Sequence, residues 1–261
     1  MRGISPGRLF FLKIFALLSI VRWQAIVLVG IAQVLVSMFV INNRSNWYQT
    51  ITDYRLWLIL LSTLLTVAAG FAINSFYDQE KDMVNRPKQT NFERFVSKQF
   101  LFRFYFTANA LAMVTSLAIS WRALLFFTIY AAGLWLYSHK LKRATFIGNI
   151  SAVALSIAPF FAIFVYYRYM SWPILFYVSF LLLLILIREF IKDLQALKGD
   201  LIYGYETLPA VYGEEKTKSL ILMLTVFSYL PAIVSYPLFE ETLQIFLIIC
   251  MAAITLSNVL L

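Results

Sequence analysis

Two groups of acidic residues follow two long apolar segments of the chain. The first group lies within residues 74–82 and the second within residues 189–200. Carboxylates next to hydrocarbon are costly unless they pair with cations or bind a metal ion. Two such groups in one chain therefore predict a divalent metal site that binds a phosphorylated ligand.

The spacing of these residues predicts the kind of metal. Asn74, Asp78 and Asp82 are four residues apart, so a helix carries them in one stripe that drifts by about 40° from each residue to the next. Glu189 and Asp193 repeat this spacing. All of these ligands are oxygen atoms with no His or Cys nearby, which favours Mg²⁺ over zinc or copper.

Asp200 extends the second group. It lies near the face of Glu189 and Asp193 if the helix continues as far as Gly199. An alternative is a pair of solvated helix ends, because four cations alternate with the acids: Lys81, Arg86, Lys192 and Lys198. Two similarly spaced groups at equivalent points of the chain favour the metal site.

Composition places the chain in a membrane. Of its 261 residues, 61% are hydrophobic and 13% are charged, which excludes an ordinary soluble domain. The net charge of +9 fits membrane topology and anionic lipid headgroups, and no nucleic-acid partner is predicted. The single cysteine, Cys250, excludes an internal disulfide.

The apolar segments predict an all-α polytopic membrane protein with about eight spans in a single domain, residues 1–261. Spans 1–4 and 5–8 resemble each other, which predicts two similar four-helix halves around a central cavity. Residues 9–21 predict an interfacial helix before the first span. The predicted spans are 24–41, 54–77, 99–119, 122–138, 145–166, 172–193, 217–237 and 241–261.

Lys and Arg predict the orientation. Eighteen of the 22 lie in the amino-terminal segment and in the loops after spans 2, 4 and 6. The positive-inside rule therefore places the amino terminus and both acidic groups on the cytoplasmic side, and we expect a bacterial inner membrane. The opposite side keeps four cations: Arg44, Arg55, Arg122 and Arg168.

Several segments together follow the pattern of a known family. They are Asn74, Asp78 and Asp82 in the order Asn-x-x-x-Asp-x-x-x-Asp, then Asn85-Arg86-Pro87, residues 137–143 with Gly148-Asn149, Arg188-Glu189 with Lys192-Asp193 and Gly199-Asp200, and finally Thr207-Leu208-Pro209. In these segments the whole chain resembles the UbiA family of membrane prenyltransferases. The second acidic motif is most similar to that of the geranylgeranylglyceryl-phosphate geranylgeranyltransferase and chlorophyll-synthase-like branches.

The resemblance implies a role for each motif residue. Mg²⁺ is expected on Asn74, Asp78, Asp82, Glu189, Asp193 and Asp200, of which Asp78, Asp82, Asp193 and Asp200 are the expected catalytic residues. The expected substrate-binding residues are Arg22, Arg86, Lys88, Tyr137, Lys142, Arg143 and Lys192. His139, the only histidine, is either a general base for the acceptor or, more simply, a solvated loop residue.

The chain departs from the family at two positions. Ala196 stands where the second motif commonly carries an acid, and Asp193, one turn earlier, is the expected substitute. Gln89-Thr90 replaces the family's usual Arg-Pro, which removes one expected diphosphate-binding arginine. The family also has nine spans as a rule, against the eight predicted here.

The resemblance implies Mg²⁺-dependent transfer of a prenyl group from a prenyl diphosphate to a membrane-soluble, lipid-like acceptor such as geranylgeranylglyceryl phosphate. The alternative acceptors are an aromatic quinone precursor (hydroxybenzoate or dihydroxynaphthoate) and a tetrapyrrole. A cation-binding transporter or channel is the alternative outside enzymes, although it would need acids on both membrane faces. A CDP-alcohol phosphotransferase would need an Asp-Gly-x-x-Ala-Arg signature, which the sequence lacks.

Overall fold

The computed structural model describes residues 5–41, 47–168 and 172–238, and these ranges contain helices and no strand. The prediction of an all-α protein is confirmed. The helices are α1 (Pro6–Ile20), α2 (Trp23–Leu35), α3 (Trp47–Thr52), α4 (Tyr54–Asn85), α5 (Pro87–Glu93), α6 (Lys98–Leu117), α7 (Trp121–His139), α8 (Ile147–Tyr167), α9 (Trp172–Ile202), α10 (Leu208–Tyr212) and α11 (Glu214–Ser235). A π-helical turn, Val36–Ile41, continues α2.

Seven of the eight predicted spans coincide with helices, and the eighth, 241–261, lies outside the described residues. Within the described ranges, α4, α6, α8 and residues Ile174–Ile202 of α9 are long and apolar enough to cross a bilayer. The pair formed by α1 and α2 qualifies as one broken span with a bend of 53°. The helix predicted at residues 9–21 is therefore present as α1, and its interfacial position stays a prediction.

The described helices belong to two compact units. The first holds the residues up to Leu141 together with Ala158–Arg168, and the second holds Lys142–Ile157 and the residues that follow Arg168. The boundary at Leu141 agrees with the predicted boundary between the two halves. The prediction did not include the assignment of Ala158–Arg168 to the first unit.

In the first unit, α4 packs against α6 and α7. Ala69 and Ile73 of α4 form a buried cluster with Tyr105 of α6. The Tyr105 hydroxyl donates a hydrogen bond to a main-chain carbonyl of α7 at 3.3 Å. Gly70 allows α7 to approach closely, since a Cβ atom there would lie 2.9 Å from the Leu134 side chain.

A buried glutamine explains why the end of α8 belongs to the first unit. The Gln33 side chain is fully buried, and its amide donates hydrogen bonds to the Thr63 hydroxyl at 3.2 Å and to the Pro159 carbonyl at 2.7 Å. In hydrocarbon, polar groups of this kind must find partners within the protein. Gln33 therefore connects α2, α4 and α8.

In the second unit, α9 packs against α10 and α11. The buried core contains Ile187 and Phe190 of α9, Leu208 of α10 and Ile221 of α11. These contacts hold the carboxyl-terminal part of α9, which carries the second acidic group, against the loop and the short helix that follow it.

Replacing Gln33 with alanine should destabilise the protein. The change removes both hydrogen bonds from a buried site, so we expect a loss of about 1–2 kcal/mol in the free energy of unfolding. Unfolding by SDS titration in mixed micelles measures this loss. The matched control is Gln24→Ala on the same helix, because Gln24 is exposed. Equal stability of the two variants would contradict the assigned role of Gln33.

Candidate functional site

The first acidic motif lies on one uninterrupted helix. The predicted span 54–77 continues as helix α4 to Asn85, so Asp78 and Asp82 stand on successive turns. Both carboxylates are buried, at 6% and 8% exposure. Asp82 accepts a hydrogen bond of 2.6 Å from the guanidinium of Arg86, which directly follows the helix.

Arg86 remains charged at this site. Burial acts to lower the pKa of its guanidinium, but the hydrogen bond and the negative charge of Asp82 outweigh that effect and raise the pKa above its ordinary value. Pro87 then begins α5, which turns the chain away from α4. The predicted phosphate contact Arg86 is thus a permanent cation next to a predicted metal ligand.

Three predicted site residues line one narrow cleft in the first unit. Arg22, Asn74 and Arg86 meet there, together with Ser19, Ile20, Phe71, Ser75, Gln89 and Glu93. Arg22 adopts a left-handed backbone conformation with φ of 51° at the bend between α1 and α2. Such a conformation is costly for a non-glycine residue and is often found at functional sites. The Arg22 guanidinium lies over the Phe71 ring, 5.4 Å from its centroid.

The cleft also shows what replaces the missing family arginine. Gln89 donates a hydrogen bond of 2.8 Å to Glu93, and the Ser19 hydroxyl donates one of 2.9 Å to the same oxygen. Glu93 is buried at 7% exposure. The Ser19–Glu93 hydrogen bond joins α1 to α5, and Gln89 binds the same Glu93 oxygen from within α5.

The remaining candidates of the first unit are less enclosed. Lys88 is exposed, and Tyr137 is partly buried near the end of α7. His139 is exposed but oriented, since its ring stacks on Trp135 at 5.4 Å and lies 5.2 Å from the Tyr77 ring. The His139 ring is thus exposed to solvent but held by two aromatic contacts. Its role as a base stays a hypothesis.

The second acidic motif begins with a carboxylate that already has cationic partners. Glu189 is buried at 4% exposure. One of its oxygens accepts from Lys192 at 2.6 Å and the other from Arg188 at 3.3 Å. Because both oxygens already bind cations, a metal ion here would have to share the carboxylate with them or displace one. The predicted contact between Lys192 and substrate likewise competes with this ion pair.

Neutral donors hold the other two acids of this motif. Asp193 accepts a hydrogen bond of 2.7 Å from the side-chain amide of Asn149 on α8. Asp200 is fully buried and accepts one of 3.0 Å from the Thr207 hydroxyl. Helix α9 continues past Gly199 and ends at Ile202, which meets the condition for Asp200 to lie near the face of Glu189 and Asp193.

Asn149 and Thr207 are the residues to which the sequence assigned no role. Both stand in the family-like segments, but their partners lie on another element. Thr207 takes the N-cap position of α10 without capping it, because its hydroxyl binds Asp200 instead. A capping-type residue followed by Leu-Pro was the only sequence signal for this arrangement.

The predicted phosphate contacts Lys142 and Arg143 lie in a 3₁₀ turn, Leu141–Arg143. Lys142 is buried, whereas Arg143 is exposed and lies over the Tyr205 ring at 5.2 Å. The Arg143 carbonyl accepts a hydrogen bond of 2.9 Å from the main chain of Glu206. The basic turn is therefore attached to the loop that also positions Asp200.

The donor atoms of both motifs suit Mg²⁺. They are carboxylate and amide oxygens without any thiolate or imidazole among them, which is the chemistry this ion prefers. In the part of the chain that the structure describes, no three Asp, Glu, His or Cys side chains converge into a complete metal cage. Mg²⁺ seldom uses such a cage, since it keeps waters and substrate phosphates as ligands. The residues present fit the ion.

Comparison with known proteins identifies the family. The model of the UbiA prenyltransferase family matches residues 32–260. The chain belongs to the UbiA prenyltransferase family. The family resemblance that the motifs predicted is therefore confirmed, and with it the prediction of a membrane prenyltransferase.

Relatives agree with this membership. A digeranylgeranylglyceryl phosphate synthase of Methanopyrus kandleri is 31% identical over 195 residues, which cover 72% of this chain and 71% of the relative. One of Thermococcus gammatolerans is 28% identical over 206 residues and covers 78% and 72%. The branch of the family that the second acidic motif resembled includes these enzymes.

Solved structures show the same fold. A digeranylgeranylglyceryl phosphate synthase in membranes has a TM-score of 0.68 at 25% identity, covering 95% of this chain and 87% of the other. A UbiA homolog from Archaeoglobus fulgidus, bound to GPP and Mg²⁺, has a TM-score of 0.73 at 16% identity, covering 94% and 86%. The protein is thus an integral membrane protein of this fold.

Replacing Asn149 with leucine should destabilise the second unit. The Asp193 carboxylate loses its amide donor, so we expect the free energy of unfolding to fall by about 1–3 kcal/mol. Thermal unfolding in detergent with EDTA measures the change without interference from metal. Asn91→Leu is the control, because Asn91 is exposed on α5. A melting temperature of Asn149→Leu no lower than that of the control would contradict the assignment.

Proposed function

We propose that the protein catalyses Mg²⁺-dependent transfer of a prenyl group from a prenyl diphosphate to a glyceryl phosphate lipid within the membrane. The observation that carries the proposal is the set of buried carboxylates in both acidic motifs of a chain that belongs to the UbiA family. Relatives named digeranylgeranylglyceryl phosphate synthase support this acceptor class. The family model covers residues 32–260, which supports one functional domain.

The metal ligands we propose are Asn74, Asp78, Asp82, Asp193 and Asp200. Bound Mg²⁺ would neutralise the negative charge that develops on the departing diphosphate. A homolog whose structure contains GPP and Mg²⁺ supports this cofactor. Both motifs are required in this proposal, because each offers few ligands of its own.

The cations around the motifs bind and orient the diphosphate. We assign direct phosphate contacts to Arg22 and Arg86, which line one cleft with Asn74. Lys142 and Arg143 are the corresponding candidates in the second unit. Arginine suits this task because its planar guanidinium can bind two phosphate oxygens at once.

Glu189 is better placed to orient Arg188 and Lys192 than to bind metal. Its ion pairs with Arg188 and Lys192 fix both cations on the same part of α9 that carries Asp193. The aromatic and tetrapyrrole acceptors remain alternatives, and neither is favoured by a specific contact. The predicted cytoplasmic orientation of the acidic motifs and the bacterial inner membrane also stay part of the proposal.

Asp78→Asn and Asp193→Asn should each lower the rate of prenyl transfer by about a thousandfold, because a metal-binding carboxylate becomes a neutral amide. Release of diphosphate from a prenyl diphosphate in the presence of geranylgeranylglyceryl phosphate and Mg²⁺ gives the rate. Replacing Mg²⁺ with EDTA should abolish activity of the wild type.

The matched control is Glu80→Gln, which removes a carboxylate from the same segment. The Glu80 side chain is 73% exposed and forms a long ion pair of 3.4 Å with Lys98. We expect its activity to equal that of the wild type. Full activity in Asp78→Asn or Asp193→Asn, in protein of normal melting temperature, would refute the metal assignment.

Thr207→Val should change the Mg²⁺ requirement of the enzyme. Valine keeps the shape but removes the hydrogen bond to Asp200, and loss of such a partner costs about 10- to 100-fold in metal affinity. The Mg²⁺ concentration for half-maximal activity should rise accordingly. Thr207→Ser should restore the wild-type value, whereas an unchanged Mg²⁺ dependence in Thr207→Val would show that Thr207 has only a packing role.

A further inference from the structure

The first unit contains a second cavity that the proposed reaction does not use. It has a volume of about 380 Å³, and three arginines line it: Arg55, Arg122 and Arg168. Arg55 lies at the start of α4, Arg122 at the start of α7, and Arg168 directly after α8. We call it the arginine cavity.

The arginine cavity is remote from the acidic motif of the same unit. Arg55 is in the first turn of α4, and Asp82 is in its last turn. The 32 residues of α4 extend about 48 Å at 1.5 Å per residue. A bilayer with its headgroups measures about 40–45 Å. The cavity and the acidic motif therefore lie at opposite headgroup layers.

Two helix ends add to the positive charge. The N-termini of α4 and α7 lie at the cavity, where main-chain amides and helix dipoles favour an anion. Among the described residues, Asp53 is the acid beside the cavity, and both its oxygens have partners: one caps α4 through the amide of Arg55 at 3.0 Å, and the other accepts from the Tyr166 hydroxyl at 2.7 Å. It offsets one of the three arginines, and a positive balance remains.

Topology alone does not account for these arginines. Positive residues are scarce on the side of a membrane protein that faces away from the cytoplasm. The sequence assigns only four Lys or Arg residues to this side, and three of them line one cavity. The fourth, Arg44, lies outside the described residues.

The arginine cavity has both positive charge and the aromatic side chains that are found where lipid headgroups contact a protein. Arg122 lies over the ring of the exposed Trp121 at 5.5 Å, and Arg55 over the ring of the exposed Tyr54 at 5.7 Å. Exposed Trp and Tyr residues are typical of the membrane interface. The wall contains apolar side chains as well, including Ile59 and Val165. An occupant with an anionic phosphate next to hydrocarbon matches both features.

We propose that the arginine cavity binds the phosphate of an anionic phospholipid in the leaflet opposite the acidic motifs. Guanidinium groups bind phosphate oxygens by charge-assisted hydrogen bonds. The acyl chains follow the apolar outer surfaces of the helices into the bilayer. Free inorganic phosphate shares the same chemistry, so a separate arm of the test distinguishes it from the lipid.

The test uses the purified, delipidated protein in detergent. Short-chain phosphatidylglycerol, phosphatidylcholine and inorganic phosphate are titrated separately, and the melting temperature is followed in each titration. Phosphatidylglycerol should raise the melting temperature of the wild type. The variant with Arg122→Gln and Arg168→Gln should need at least about tenfold more of this lipid for the same rise, since each charge-assisted hydrogen bond contributes about that factor.

Two controls separate binding from folding and from general charge. Arg103→Gln removes one exposed cation outside the cavity, near the start of α6, and should behave as the wild type. The variant with Arg122→Lys and Arg168→Lys keeps both charges and should retain lipid binding, even if the glutamine variant folds poorly. Prenyl transfer in detergent should be unchanged in these variants.

Three results would overturn the proposal. One is the same phosphatidylglycerol affinity in the wild type and in the folded glutamine variant. Another is stabilisation by phosphatidylcholine equal to that by phosphatidylglycerol, because this would exclude selection of negative charge. The third is stabilisation by inorganic phosphate at concentrations as low as those of the lipid, which would identify a free-anion site.

Discussion

The cost of keeping carboxylates at the ends of apolar helices governs this structure. Burial of an ionised acid is unfavourable unless charges or hydrogen-bond donors compensate it. Among the acids of the two motifs, Asp82 binds Arg86, Glu189 binds Arg188 and Lys192, Asp193 binds the Asn149 amide, and Asp200 binds the Thr207 hydroxyl. The donors to Asp193 and Asp200 are neutral groups that orient each carboxylate. The second motif keeps three acids, Glu189, Asp193 and Asp200, although it lacks one at position 196.

The same constraint acts on the scaffold. Gln33 is buried in the first unit, and its hydrogen bonds to Thr63 and Pro159 connect three helices where apolar contacts alone have little directional preference. The long helices α4 and α9 carry the acids beyond the apolar segments without a break. The long helices therefore position the acids of each motif, and cations come both from α9 itself, as Arg188 and Lys192, and from connections, as Arg86.

Local patterns were sufficient to predict much of this arrangement. Apolar runs located seven helices, and the spacing of Asn74, Asp78 and Asp82 located one stripe on α4. Contacts between distant segments could not be predicted in this way, because they leave no periodic pattern in the sequence. The pairing of Asn149 with Asp193 and the convergence of three arginines on one cavity are contacts of this kind. The ion pair of Glu189 with Lys192, three residues away, could have been predicted from helix geometry.

We propose that the carboxylates of the two motifs bind the diphosphate through Mg²⁺. Calorimetric titration of the purified protein with a non-reactive prenyl thiolodiphosphate tests this binding, since it separates binding from turnover. We expect binding in the presence of Mg²⁺ and none with EDTA. Equally tight binding without any divalent cation would contradict the proposal.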